Sequence, residues 1–185
     1  MRKFIFAMPL LVACIAVGPK PQSEAEAVTA RFADAVKRFD FVSMADELHP
    51  DYQGTCYRLV VHIAETTEPE SERMDFLGAL GVKSLADLKN LTPKAVTIKL
   101  FELGSSYTPT AARRASLNSN IKIVGTLAED DMVHVLYRSE VDAPELGMSL
   151  KVPSVVTLKR FNGKLKVIDT TEFDSLKAKM GSTGK

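Results

Sequence analysis

Cysteine, histidine and net charge are all in short supply in this chain. Only Cys14 and Cys56 carry thiols, and the one bridge they could form would tie the extreme N-terminus to the body of the protein. Cys56 therefore reads as a free thiol, which when buried behaves as a small hydrophobe. The histidines are His49, His62 and His134. Zinc-binding pairs on one helix usually sit about three to five residues apart, and no pair here does, so no metal centre is expected. Basic and acidic residues number 24 and 23, a net charge of +1. A near-neutral domain has no electrostatic hold on a phosphate backbone, which argues against nucleic acid as a partner. No Gly-rich phosphate loop, Gly-x-Ser-x-Gly elbow, His-Glu-x-x-His or Cys-x-x-Cys occurs, so no cofactor is implied. Nor does the N-terminal apolar run reach the roughly 20 residues that a membrane-spanning helix needs.

What the first fourteen residues do have is the layout of an export signal. Arg2 and Lys3 give a positive end, and the run from Phe4 to Ala13 gives an apolar core. The segment closes on Leu11-Val12-Ala13-Cys14, which resembles the lipobox of bacterial lipoproteins. In that family a peptidase cuts before the cysteine once its thiol carries diacylglycerol. Small Ala13 suits a narrow peptidase pocket, and only a thiol can form the thioether. The resemblance implies a signal peptide over residues 1–13 and a lipid on Cys14. The product would be anchored to a membrane of the cell envelope, facing the periplasm or the outside. The alternative is an ordinary secretory signal cut after Ala16, with a soluble periplasmic or secreted product. Gly18-Pro19-Lys20-Pro21 ends the apolar run, and residues 14–23 read as a tether.

About 170 residues follow the leader, a size that suits one domain with one core. Ser23 is placed to cap a helix whose first turn holds Glu24 and Glu26. Val28, Phe32, Ala35, Val36 and Phe39 share one face of it. Asp40 can cap a second helix carrying Phe41, Met44, Ala45 and Leu48 inward, ended by His49-Pro50-Asp51. A third helix is expected over about Tyr52–Glu65. Residues 70–104 read as three more: one opened by Ser71 and closed by Gly81-Val82, a short one from Ser84, and one begun by Thr92-Pro93 and stopped by Gly104. Residues 105–120, polar and mixed, read as a long loop.

After Asn120 the apolar period changes from 3.6 to 2. A strand from Ile121, a turn at Glu129-Asp130-Asp131, a strand over Met132–Val141 and another over Ser149–Phe161 are expected. Apolar residues on both faces at the start of the second strand place it inside the sheet. Asn162-Gly163 is a strong hairpin signal leading to a last strand, on which Leu165, Val167 and Asp169 are expected to share a face. A short helix over 171–180 and a frayed tail at 181–185 would finish a single domain spanning 24–180. Helices first and an antiparallel sheet last make the class α+β.

Two segments resemble the nuclear transport factor 2-like superfamily, also called ketosteroid-isomerase-like or SnoaL-like. They are Phe32–Tyr52, with Phe-Ala-Asp-Ala-Val-Lys-Arg-Phe-Asp-Phe and then Glu-Leu-His-Pro-Asp-Tyr, and the hairpin Val155–Asp169. Leu165 stands where that superfamily often has tryptophan. The resemblance implies a curved antiparallel sheet wrapped on helices as an open cone, with residues 70–104 as a helical insertion. That fold hosts many chemistries, and the isomerase-type set of an Asp base with a Tyr and an acid does not map onto matching positions here.

Tyr137, His134 and Asp169 are the candidates to face a cavity in such a cone. A partly exposed strand position is nevertheless the commoner case for a histidine such as His134, and Asp169 fits the solvated end of its strand better than a cavity mouth. His49 belongs at a helix end, near exposed carbonyls. Cys56 and His62, six apart, fall on different sides of a helix, which argues against a thiol nucleophile with its base. Arg113-Arg114 is a basic pair in the expected loop that could meet an anion, though solvation is the simpler role. The leading expectation is a non-catalytic envelope protein that binds a small apolar ligand or a protein partner. A further option is a structural subunit that homodimerises through the exposed face of the sheet. The rival is a small-molecule isomerase or hydrolase using a carboxylate in the cone.

Overall fold

The computed structural model describes residues 23–143 and 148–170. The leader with Cys14, most of the tether, the expected helix at 171–180 and the tail lie outside the described residues. Among them, seven helices precede four strands, and the class is α+β. The strands pair in the order β1-β2-β3-β4, antiparallel throughout, in a sheet that is not closed into a barrel.

The helices begin where their caps dictate. In α1 (Glu24–Arg38) the Ser23 hydroxyl accepts from Glu26 N–H and the Glu26 carboxylate accepts from Ser23 N–H, a complete capping box. Phe39 closes it in the left-handed region, φ 58°. That conformation swings Phe39 out of the buried face it was expected to share with Phe32, and it is only half-buried. Asp40 caps α2 (Phe41–Glu47) through Ser43 N–H. The third helix, α3 (Pro50–Thr66), starts two residues earlier than expected because His49 caps it. The imidazole Nδ1 accepts from Asp51 N–H at 3.1 Å, so His49 serves a helix N-terminus and not the carbonyls of a C-terminus. Proline at the first helical position loses no hydrogen bond there.

Three helices fill residues 70–104 and extend slightly beyond: α4 (Glu70–Ala79), α5 (Leu85–Lys89) and α6 (Pro93–Ser106). Gly81 at φ 66° and Val82 N–H bonding to Leu77 C=O close α4 as a Schellman turn. Gly104 does not stop α6. The helix runs on to Ser106, and the hydroxyls of Ser105 and Ser106 donate back to Glu102 and Leu103 carbonyls. The expected loop is also partly helix: α7 spans Thr110–Leu117. Its alanines favour helix, while its single leucine gives no apolar stripe for a periodicity search to find.

The sheet comprises β1 (Asn120–Glu129), β2 (Met132–Ala143), β3 (Met148–Phe161) and β4 (Lys164–Thr170). As expected, β2 is interior, and Asn162-Gly163 turns between β3 and β4 with both φ values positive. Two bulges bend the strands. Val124 is the extra residue opposite β2, and Ile168 the extra residue opposite β3. The inner face presents Val135, Val156, Leu158 and Val167, all fully buried, to Phe32, Leu48, Val60 and Cys56 from the helices. Among the described residues no helix is long and apolar enough to cross a membrane.

Candidate functional site

The helices leave space above the inner face of the sheet. An open-mouthed cavity of about 490 Å³ lies between α1, α2, α3, α4, α6 and the strands β2 and β4. Its walls follow from helical spacing. Phe32 and Val36 are four apart on α1, and Leu100, Leu103 and Gly104 are three and four apart on α6. Phe39 and Phe41 flank Asp40, the cap of α2, and form an aromatic chain into the cavity. Their rings meet edge-on at 6.1 Å, and Phe41 stacks on Phe101 at 6.3 Å. Each such pair adds roughly 0.5–1.5 kcal/mol beyond simple burial. Polar atoms enter from Tyr52, Tyr137 and Thr170 on the inner walls and from Ser105 and Thr108 near the α6–α7 turn. Among the described lining residues there is no acidic, basic, histidine or cysteine side chain.

The structure separates the three residues placed by sequence at the cavity. Tyr137 is buried on the inner face and lines it. His134, three positions away on β2, points to the opposite face. There its Nδ1 meets Thr157 Oγ1 at 3.0 Å, and its Nε2 stands 3.4 Å from a Glu129 carboxylate oxygen. Asp169 is likewise on the outer face, opposite Thr157. Alternation alone would put Asp169 with Leu165 and Val167. The bulge at Ile168 inserts one residue, so Thr170 takes the inward position and Asp169 is turned away. The Asp169 carboxylate instead accepts from Thr170 N–H at 2.8 Å.

The other sequence candidates also separate. Cys56 is fully buried while His62 is exposed, so the two do not form a nucleophile and base. Among the described residues no cluster of three or more His, Cys, Asp or Glu is arranged to hold a metal ion. Sequence reasoning missed the aromatic wall. The available signal was the Phe39-Asp40-Phe41 pattern, two aromatics flanking a helix cap, together with Phe101 on the face of α6 beside Leu100.

Arg113, one of the basic pair, stands at this wall. Its guanidinium carbon lies 4.8 Å from the Phe39 ring centroid, and its Nη2 donates to Ser105 Oγ at 3.3 Å. Electrostatics are modest elsewhere. The Asp40 carboxyl is held below its ordinary value chiefly by hydrogen bonds from Ser43, the expected result for a helix cap.

No protein-family model matches the chain, and neither a search of characterised proteins nor one of solved structures returned a match.

Proposed function

We propose that this protein is an envelope-anchored binding module for a small apolar molecule. One observation carries the reading: the cavity of about 490 Å³, walled by Phe32, Phe39, Phe41, Phe101 and the leucines of α6. Ligand sites typically occupy about 300–1,000 Å³ and are mostly apolar with a few convergent polar groups. A guest that loses about 300 Å² of apolar surface there gains roughly 7 kcal/mol before the cost of association. The anchor is the lipid on Cys14, on the strength of the lipobox resemblance. The nuclear transport factor 2-like resemblance fits the same picture, an open cone whose interior receives a guest. The rival enzyme reading loses its main support, because its carboxylate, Asp169, stands on the outer face.

Two measurements test the proposal. The neutral dye N-phenyl-1-naphthylamine should brighten on binding with micromolar affinity. Leu103→Trp, which puts a larger side chain at a half-buried wall position, should weaken binding at least tenfold. A folded protein that leaves the dye dark would overturn the ligand-binding reading. For the anchor, wild type should partition with membrane and Cys14→Ser should not. A wild-type protein that is soluble and begins near Val17 would overturn it.

A further inference from the structure

We infer that the molecule taken into the cavity is a single-chain amphiphile with an anionic head, and that Arg113 meets the head at the mouth. This rests on the ligand-binding reading above and specifies the chemical class of the guest.

The argument starts from how charge is distributed around the cavity. Its described lining carries no charged side chain, so a charged group on the guest has no counterpart deep inside. A guanidinium is fixed at the rim by two lining residues, over the Phe39 ring and on Ser105 Oγ. Neither contact neutralises it. Arg31, Arg38, Arg73, Arg138 and Arg160 each face a carboxylate: Glu47, Asp34, Glu70, Glu140 and Glu24 respectively. Arg113 faces none among the described residues, and neither does Arg58, which donates to Thr55 Oγ1 on its own helix. Of the two, only Arg113 touches residues that line the cavity. A guanidinium presents five N–H donors in a fork that fits carboxylate and phosphate oxygens, and only one is used on Ser105. The aromatic ring beneath holds the fork in place before any guest arrives.

The guest must therefore be apolar along its length and anionic at one end. At about 30 Å³ for each methylene-sized unit, the share a water takes in the liquid, the cavity holds about sixteen such units. A chain of ten to twelve carbons fits with its head at the rim. A neutral guest of the same length would leave Arg113 to solvent, and a cationic one would be repelled.

The test compares dodecanoate, dodecyl phosphate and dodecanol as competitors for N-phenyl-1-naphthylamine on the purified protein and on Arg113→Gln and Arg113→Lys. Arg113 is exposed, so an ion pair there is worth little in absolute terms, and the reading is a ratio. Arg113→Gln should raise the dissociation constant of at least one anionic competitor about three- to fivefold and leave dodecanol unchanged. Arg113→Lys should recover part of the difference, and added salt should shrink it in wild type. The anion with the larger Arg113-dependent difference distinguishes a fatty acid from a phosphate-headed lipid. Equal effects of Arg113→Gln on all three competitors would overturn the inference, as would a failure of the chains to displace bound dye. In either case dye binding itself would still stand. Loss of all dye binding in wild type would instead remove the underlying reading.

Discussion

Replacing Leu158 by alanine tests whether the sheet packs as described. Leu158 is fully buried on β3, opposite Val133 on one side and Val167 on the other. Its truncation removes three carbons, worth about 2.4 kcal/mol at roughly 0.8 kcal/mol each. Strand neighbours on both sides hinder collapse, so about 40 Å³ of void should persist and add about 1 kcal/mol. The expected loss is about 3–4 kcal/mol, a large share of the roughly 5–15 kcal/mol that holds most domains folded. The midpoint of thermal unfolding should drop by about 6–16 °C. The chain has no tryptophan, so urea unfolding followed by far-ultraviolet circular dichroism is the suitable assay. Val155→Ala is the matched control. It sits on the same strand with the opposite facing, 38% exposed, and should cost under about 1 kcal/mol. A loss below about 1.5 kcal/mol at Leu158, or equal losses at the two positions, would refute the assigned facing of β3.

Other outcomes follow from local features. Gly54→Ala should stabilise by about 0.5–1 kcal/mol, because the position is helical and a Cβ there meets only the flexible end of Arg58 at 3.4 Å. Gly81→Ala should destabilise by about 1 kcal/mol, since the native φ is +66°; chemical denaturation of both variants checks the pair. The Glu24 carboxyl is held below its ordinary value, first by the Leu165 N–H and then by the charge of Arg160. A depressed folded-state value means that its contribution is full at neutral pH and is lost as pH falls through that value. Glu24→Gln should therefore lower stability at neutral pH and flatten its decline toward acid, as read from urea midpoints across pH.

Much of the fold was legible because its boundaries are written in single residues. Ser23, Asp40, Ser84 and Thr92 cap helices through hydroxyl or carboxylate oxygens, and Asn162-Gly163 turns the last hairpin. The errors arose where a residue has two possible effects. Gly104 can end a helix or sit inside one, and Ser105 and Ser106 decided for continuation by satisfying carbonyls locally. Phe39 has the right spacing for the core, but closing α1 needs a left-handed residue there, and backbone geometry overrode periodicity. The site was less legible than the fold. Tyr137 followed from simple alternation on β2. Asp169 did not, because one extra residue in a strand reverses every facing after it and leaves no mark in composition. Phe41 and Phe101 meet only after α2 folds onto α6, which no local pattern contains.

The outer edge of β4 bears on how the protein behaves when crowded. An edge strand offers unpaired N–H and C=O groups to any other chain, a template for aggregation. On β4, two of these groups are already taken by the chain's own helices. Glu24 accepts from Leu165 N–H at 3.0 Å, and His49 N–H donates to Val167 C=O at 2.7 Å. Lys164 and Lys166 place positive charge along the same strand, and the bulge at Val124 interrupts the opposite edge at β1. Both ends of the sheet thus resist templated growth, by satisfied backbone and charge on one side and by broken register on the other. Packed densely on a surface, such molecules can stand side by side without their sheets fusing.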